Sequence, residues 1–232
     1  MNNIAIITAR GGSKRIPRKN IKPFLGIPII SYSIRAALES NLFDEIMVST
    51  DDQEIAEIAL SFGAKVPFLR STNNSNDFAG TADVLCEVLS EYMLQNQHFN
   101  NGCCIYPTAP FVNSSLLNKS YIKFLAGKYE VLNPIVKYSY PIQRSVIINN
   151  DDKIEMRWPE NYHKRSQDLQ ATYHDAGQFY WFRTDKMLIN KKLIPDNSGY
   201  IILNEIEVQD IDTIEDWELA EIKYDIINGF NK

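Results

Sequence analysis

The chain has 232 residues, of which 44% are hydrophobic and 23% are charged. This length and composition are typical of a globular α/β domain and exclude two large independent domains or a disordered chain. No stretch approaches the roughly 18 uncharged apolar residues that cross a membrane, and the first residues do not look like an export signal. We therefore expect a cytoplasmic protein without a membrane partner.

The charge of the chain is unevenly distributed. The net charge of −5 argues against a protein that binds the phosphate backbone of nucleic acids. Six of the 24 basic residues nevertheless lie between Arg10 and Lys22, in a stretch without an acidic residue. Such a cluster is either a solvated surface run or a site for a compact polyanion such as a nucleoside triphosphate. Its position directly after a predicted strand favours the polyanion site.

Hydrophobic patterns in the first half of the chain predict strands that alternate with helices. The strands are expected at 3–9, 45–50, 65–69 and 102–106. The helices are expected from about Pro28 with Leu38 on the buried face, at 52–62 before Gly63, at 81–95 with Thr81 available as N-cap, and from about Ser114. This alternation predicts a doubly wound, mostly parallel α/β sheet of the Rossmann type. Ligands bind such sheets beyond the carboxyl ends of the strands.

The pattern changes after about residue 132. Strand-like segments are predicted at 131–138, 143–148, 153–158 and 178–183, followed by a last strand at 208–211 and a helix at 214–228. We interpret residues of about 135–175 as a small lobe inserted in a single domain that spans 1–232, and its aromatic residues are typical of a dimer surface. The three cysteines, Cys86, Cys103 and Cys104, form no disulfide or metal-binding pattern and are expected as buried thiols.

The most informative segment follows the first strand and reads Gly11-Gly12-Ser13-Lys14 within the basic cluster. Paired glycines let the backbone approach a ligand, and basic side chains neutralise phosphate charge. The segment matches neither the Walker loop nor Gly-x-Gly-x-x-Gly. It predicts a triphosphate loop of another kind, although a tight strand-to-helix turn would also explain two glycines.

Two aspartates, Asp210 and Asp212, stand one residue apart at the end of the predicted last strand. Alternation along a strand would place both carboxylates on one side, where they suit a Mg²⁺ ion that also contacts phosphates. Asp212 could instead be the N-cap of the helix that begins at Thr213. Capping and metal binding do not exclude each other.

Other polar residues carry weaker signals. Arg70 follows the third predicted strand and precedes a polar loop. His174 beside Asp175 is more often a structural pair than a catalytic one. No histidine accompanies a serine or cysteine in a nucleophile motif, so the sequence gives no support to covalent catalysis.

Four blocks occur in order along almost the whole chain: IAIITARGGSKRIPRKNIKPFLGIPIISYSI, VSTDDQEIAEIALSFGAKVPFLR, YPTAP and DIDTIEDWELAE. Together they resemble the CMP-sialic acid synthetase family, the cytidylyltransferases that activate nonulosonic acids with CTP. KRIPRKN, YPTAP and SQDLQATYHDAGQFYW are most similar to the branch that activates pseudaminic acid. The resemblance implies a nucleotide-diphospho-sugar transferase fold, in which the inserted lobe is a dimerisation arm.

The resemblance also implies roles for individual residues. Nucleotide and phosphate contacts would come from Arg10, Gly11, Gly12, Ser13, Lys14, Lys19, Asn20, Arg70 and Thr81. Sugar contacts would come from Tyr106, Arg165, Gln167, His174 and Asp175. Mg²⁺ would bind Asp210 and Asp212, and Arg10, Lys14 and Asp212 would be the catalytic residues. Tyr106 stands where the family usually has glutamine, and Asp175-Ala176-Gly177 stands where it has Asn-Gly, which argues against sialic acid itself as the substrate.

The implied reaction transfers CMP from CTP to the anomeric hydroxyl of a nine-carbon keto sugar acid, with pseudaminic acid expected, and releases pyrophosphate. A homodimer is expected, with the product used for surface glycans. Sister specificities for legionaminic acid, N-acetylneuraminic acid or Kdo differ in the sugar pocket. An alternative from another class is a glycosyltransferase with an Asp-x-Asp metal site, although that motif normally follows an interior strand.

Overall fold

The computed structural model of the chain describes residues 2–76 and 78–229. In chain order, its strands are β1 (Asn3–Thr8), β2 (Pro23–Phe24), β3 (Ile27–Pro28), β4 (Glu45–Ser49), β5 (Asn101–Ile105), β6 (Val131–Lys137), β7 (Val146–Ile148), β8 (Ile154–Met156), β9 (Tyr173–Asp175), β10 (Phe179–Arg183) and β11 (Ser198–Leu203). The α-helices are α1 (Ile30–Ser40), α2 (Gln53–Ser61), α3 (Thr81–Leu94), α4 (Ser114–Ala126), α5 (Thr184–Asn190) and α6 (Ile214–Asn228).

The central sheet has the strand order β11-β6-β10-β5-β1-β4, and β9 pairs with β6. The β1–β4, β1–β5 and β6–β11 pairs are parallel, whereas β10 is antiparallel to both of its neighbours. The predicted mostly parallel α/β sheet is therefore confirmed, with β10 as an antiparallel strand at its centre.

Helices cover both faces of this sheet because its inner strands are apolar on both sides. In β1, Ala5 and Ile7 join the core cluster under α1, α2 and α4, while Ile4 and Ile6 join the cluster under α3 and α5. A third cluster packs α6 against the β2–β3 hairpin through Phe24. The three cysteines are buried and unpaired, as predicted.

Two predicted strands are wrong. Residues 65–69 make only one parallel bridge, between Lys65 and Met47, because Pro67 has no N–H to donate to a ladder. Residues 208–211 form a loop, and the strand parallel to β6 is β11, which the sequence analysis missed. Val208 and Ile211 are apolar because they fill the core from that loop.

Smaller differences concern helix ends and faces. Gly80 is the N-cap of α3, so Thr81 is its first helical residue and not its cap. Leu38 in α1 is exposed, contrary to expectation. The helix α6 has the predicted bounds, and Gly63 follows α2 with a φ of +92° that favours glycine.

The chain leaves the central sheet between β6 and β9. This segment, residues 138–172, contains the separate β7–β8 hairpin and three short 3₁₀ turns at Ile142–Arg144, Pro159–Asn161 and Ser166–Asp168. We call it the arm. In the residues that the structure describes, no helix is long and apolar enough to cross a membrane.

Asp52 connects helix α2 with the basic loop, residues 10–18. Its carboxylate caps α2 by accepting the Ile55 N–H at 3.0 Å, and it also accepts both terminal N–H groups of Arg18 at 2.5 and 2.9 Å. These hydrogen bonds stabilise the charged carboxylate, the Arg18 pair most strongly, and lower the pKa of Asp52 from 3.8 to about 2.

This lowered pKa predicts an acid-dependent part of the stability. The ion pair contributes fully above the ordinary pKa of 3.8, and its contribution is lost as the pH falls through about 2. Urea unfolding should therefore show a steeper loss of unfolding free energy for the wild type than for Asp52→Asn over this pH range, since asparagine still caps the helix. Equal pH dependences would contradict the assignment.

Candidate active site

The loops after β1 and β5 meet Arg70 and the start of α3 at one edge of the sheet, and together they surround a cavity of about 500 Å³. We call it the basic cavity. It is lined by Thr8, Arg10, Ser13, Lys14, Arg15, Lys19, Asn20, Arg70, Ala79, Thr81, Val84, Tyr106, Pro107 and Thr108. The site thus lies where ligands bind in open α/β sheets.

The lining is strongly positive. Five lysine and arginine side chains reach the cavity, and no aspartate or glutamate of the described chain lines it. Arg70 is buried and donates to the Ser49 hydroxyl at 3.0 Å and to the Ser49 carbonyl at 2.5 Å, while burial lowers its pKa. Asn20 holds the start of the basic loop by donating to the Arg10 carbonyl at 2.9 Å. Such a cavity suits a polyphosphate.

Tyr106 forms another part of the wall, and the buried Tyr180 packs behind it. The hydroxyls of Tyr106 and Thr81 are 3.1 Å apart, and the Tyr106 ring meets the Tyr180 ring edge to face at 5.4 Å. Burial raises the pKa of both tyrosines, so both are neutral phenols near neutral pH. Tyr180 donates to Asp175 at 2.5 Å and thereby connects this wall with a second cavity.

The second cavity, of about 440 Å³, is mostly acidic. It is lined by Val136, His174, Asp175, Ala176, Glu205, Val208, Gln209, Asp210, Asp212, Asp216 and Lys223. Partial removal from water and the neighbouring Asp212 raise the pKa of Asp210, so a nearby positive charge would stabilise its ionised form. Lys223 donates to the carbonyls of Val208 and Glu205 at 2.8 and 3.1 Å and so anchors the loop that carries the aspartates.

Asp212 lies between the two cavities and faces the basic loop. Its carboxylate pairs with Arg15 at 2.7 Å and with Lys19 at 3.4 Å, and Lys19 also donates to the Ile211 carbonyl at 2.5 Å. The N-cap of α6 is Thr213, in a capping box with Asp216. The N-cap interpretation of Asp212 is therefore wrong, and its carboxylate is directed at the basic side chains.

The glycines of the basic loop do not line either cavity. Gly11 donates its N–H to Asp51 at 2.9 Å, and a Cβ at this position would lie 2.7 Å from an oxygen of Asp52. Gly12 has no atom within 4 Å of such a Cβ. Glycine is thus required at position 11 because a larger residue would clash with Asp52. The sequence had suggested a different reason, the close approach of the backbone to a ligand.

The predicted sugar contacts divide into two groups. Tyr106 lines the basic cavity, and His174 and Asp175 line the second cavity. The His174 ring contacts the Asp175 carbonyl at 2.8 Å, so it does not form a pair with that carboxylate. Arg165 and Gln167 lie in the arm and line neither cavity of this single chain; Arg165 pairs with Asp168 at 2.7 Å. Their role in sugar binding stays a prediction.

The sequence analysis missed three residues that shape the site. Arg15 lines the basic cavity and pairs with Asp212, Tyr180 connects the two walls, and Lys223 anchors the acidic loop. Arg15 could have been found, because it belongs to the basic cluster. Tyr180 and Lys223 act through long-range contacts that no local pattern indicates.

Comparisons with known proteins agree with this geometry. Residues 4–221 match the family model for cytidylyltransferases. The chain is 45% identical to a pseudaminic acid cytidylyltransferase of Campylobacter jejuni, with 97% of each chain covered. It is 31% identical to a CMP-N,N′-diacetyllegionaminic acid synthase of Legionella pneumophila, with 95% of each covered. A solved CMP-2-keto-3-deoxy-manno-octonic acid synthetase in complex with CTP has a TM-score of 0.70 at 18% identity, over 98% of this chain and 99% of that one, which shows a shared fold.

Proposed function

The chain belongs to the cytidylyltransferase family, and from this premise we propose that its basic cavity binds CTP beside a sugar acid in the second cavity. The observation that carries the proposal is the convergence of five basic side chains on one cavity next to an acidic one. CMP would be transferred to the anomeric hydroxyl of a nonulosonic acid. Because the chain matches the cytidylyltransferase family, we do not retain the glycosyltransferase alternative.

In the proposed reaction, the anomeric oxygen attacks the α-phosphorus of CTP. A new P–O bond forms as the bond from the α-phosphorus to the oxygen between the α- and β-phosphates breaks. Pyrophosphate leaves, and the proton of the attacking hydroxyl is released to water. Arg10 and Lys14, from the basic loop, would hold the β- and γ-phosphates and neutralise the charge that the leaving group gains. Asn20, Arg70 and Thr81 would orient the nucleoside, so that positioning contributes much of the catalysis.

Asp210 and Asp212 would hold Mg²⁺. The donor set fits, because Mg²⁺ usually takes one or two carboxylates and completes its shell with water and substrate phosphates. No group of three or more acidic, histidine or cysteine residues suited to a metal occurs in 2–76 or 78–229. When bound, the ion polarises the phosphate and the attacking hydroxyl. Of the two carboxylates, Asp212 is the one that faces the basic cavity, through its pair with Arg15.

The sugar is proposed to be pseudaminic acid. The 45% identical relative acts on that sugar, whereas the relative named for legionaminic acid is 31% identical. Tyr106, packed edge to face on the buried Tyr180, gives the basic cavity an aromatic wall, which suits a sugar with a deoxygenated end and acylamino groups. We also place the reaction in the cytoplasm, where CTP is made.

A homodimer is part of the same proposal. The β7–β8 hairpin of the arm exposes 73% of Ile148 and 75% of Ile154, and Tyr140 nearby is also exposed. Exposed apolar side chains on a projecting hairpin are typical of an interface. A partner's arm would be able to bring its own residues to the sugar site.

The phosphate role of the basic loop is tested by Lys14→Ala. Loss of a charged contact to the β- or γ-phosphate should lower kcat/KM for CTP by about 100-fold. The Kd of CMP, which lacks these phosphates, should change far less. Lys65→Ala is the matched control, since Lys65 pairs with Glu45 at 2.7 Å outside the cavity lining. Pyrophosphate release and calorimetry supply the measurements, and unchanged CTP kinetics would show that the loop is a solvated charge run.

The metal role of Asp212 is tested by Asp212→Asn. Loss of an ionised ligand should reduce turnover by more than about 100-fold with the thermal unfolding temperature little changed. The exposed Glu218 on α6 offers a control with the same charge change, Glu218→Gln. Near-normal turnover together with a lowered Tm would assign Asp212 a purely structural role.

The sugar assignment predicts discrimination between related acids. With CTP, kcat/KM should be about tenfold or more higher for pseudaminic acid than for N-acetylneuraminic acid, because the aromatic wall leaves extra hydroxyls without partners. A pyrophosphate-release assay with a panel of nonulosonic acids measures this ratio. Equal or reversed constants would overturn the sugar and leave the cytidylyltransferase activity standing.

The proposed dimer is tested by sedimentation. The wild-type protein should sediment as a dimer, and Ile148→Glu should shift it toward the monomer, because a charge in an apolar interface is costly. Lys153→Glu, in the turn of the same hairpin, is the control for added negative charge. A monomeric wild type at assay concentrations would contradict the proposal.

A further inference from the structure

Two aspartates at the end of β4 hold the basic loop at both of its ends. Asp51 accepts the Gly11 N–H at 2.9 Å where the loop begins. Asp52 accepts two N–H groups of Arg18 at 2.5 and 2.9 Å where the loop ends, and Glu54 also contacts Arg18. Ser13, Lys14 and Arg15, which line the basic cavity, lie between these two points, and other lining residues lie directly next to them.

The Arg18–Asp52 pair itself lies outside the cavity. Neither residue is part of the lining, although Ser13, Lys14 and Arg15 between the two fixed points are. Arg18 has a φ of +56°, in the left-handed region that residues other than glycine rarely adopt. A bidentate ion pair is a strong and directional contact, so it is suited to hold the chain in this conformation.

The packing of the loop against Asp52 is close. A Cβ on Gly11 would lie 2.7 Å from an Asp52 oxygen, so the carboxylate lies directly against the loop backbone. Asp52 is in turn fixed as the N-cap of α2, through the Ile55 N–H at 3.0 Å. The loop is therefore connected to a rigid helix.

We propose that Asp52 is a positioning residue for the triphosphate, because its pair with Arg18 keeps the basic loop in the conformation that receives CTP. The proposal rests on the proposed function, in which the basic cavity binds the triphosphate. The direction of the change in CTP affinity distinguishes this role from a simple effect of charge. Removing a negative charge near a polyanion site should strengthen CTP binding by Coulomb interaction alone, whereas releasing the loop should weaken it.

Asp52→Asn separates the two roles of this side chain. Asparagine caps helices as well as aspartate does, so α2 should keep its N-cap while the ion pair with Arg18 is lost. Glu57→Gln is the matched control, because Glu57 lies on the same helix and is exposed. Within residues 2–76 and 78–229, its side chain accepts a hydrogen bond only from Gln53. The control removes the same charge without touching the loop.

The experiment measures kcat and KM for CTP by pyrophosphate release, the Kd of CTP and CMP by calorimetry, and the Tm. Asp52→Asn should raise the KM and Kd for CTP by about tenfold. The Kd of CMP should change little, and Glu57→Gln should match the wild type. The Tm of Asp52→Asn should fall only by the contribution of the lost ion pair. An unchanged or lower KM for Asp52→Asn would overturn the proposal.

A second variant breaks the same pair from the loop side and keeps the cap of α2. Arg18→Gln should raise the KM for CTP as Asp52→Asn does, and the double variant should be no worse than either single variant. Additive effects would overturn the proposal. Lys14→Ala distinguishes failure of the positioning role from failure of the proposed function. If Lys14→Ala raises the KM for CTP and Asp52→Asn does not, only the positioning role fails. If Lys14→Ala leaves the KM for CTP unchanged, the assignment of the basic cavity to CTP is refuted.

Discussion

The repulsion between like charges in the basic cavity is the constraint on which the site depends. Arg10, Lys14, Arg15, Lys19 and Arg70 line one small space, and each would favour a more solvated position. Carboxylates and carbonyls outside the lining of that space hold several of them. Asp212 pairs with Arg15 and Lys19, and the Ser49 carbonyl accepts from Arg70. The lining stays positive because the carboxylates that balance its charge are not part of the lining.

The sheet makes this arrangement possible by bringing distant segments to one edge. β1 is parallel to both β4 and β5, so the basic loop after β1 and Tyr106 after β5 lie side by side, and Arg70 is held at the end of β4 by its N–H bond to the Thr50 carbonyl. The antiparallel β10 brings Tyr180 beside Tyr106, and the loop before α6 brings Asp212 against the basic loop. Two cavities of opposite charge are thus connected through Asp212 and through Tyr180, so the nucleotide proposed in one would lie beside the sugar acid proposed in the other.

The sequence predicts an element correctly where the hydrophobic pattern of a short stretch matches the burial of its residues in the fold. The apolar run of β1, the helical pattern of α6 and the basic cluster are each complete within a short stretch. β11 was missed because its sequence does not show the alternation of its burial: Tyr200 and Ile202 are apolar but exposed. Residues 208–211 were mistaken for a strand because Val208 and Ile211 are core residues in a loop. The need for glycine at position 11 could not be foreseen either, since it depends on Asp52, about 40 residues away.

The central claim is that the basic cavity receives the triphosphate of CTP. A crystal structure of this protein with bound CTP tests it most directly. The account predicts β- and γ-phosphate oxygens within hydrogen-bonding distance of Arg10 and Lys14, with the cytidine between Asn20, Arg70 and Thr81. A triphosphate bound elsewhere, without contact to Arg10 or Lys14, would contradict the account.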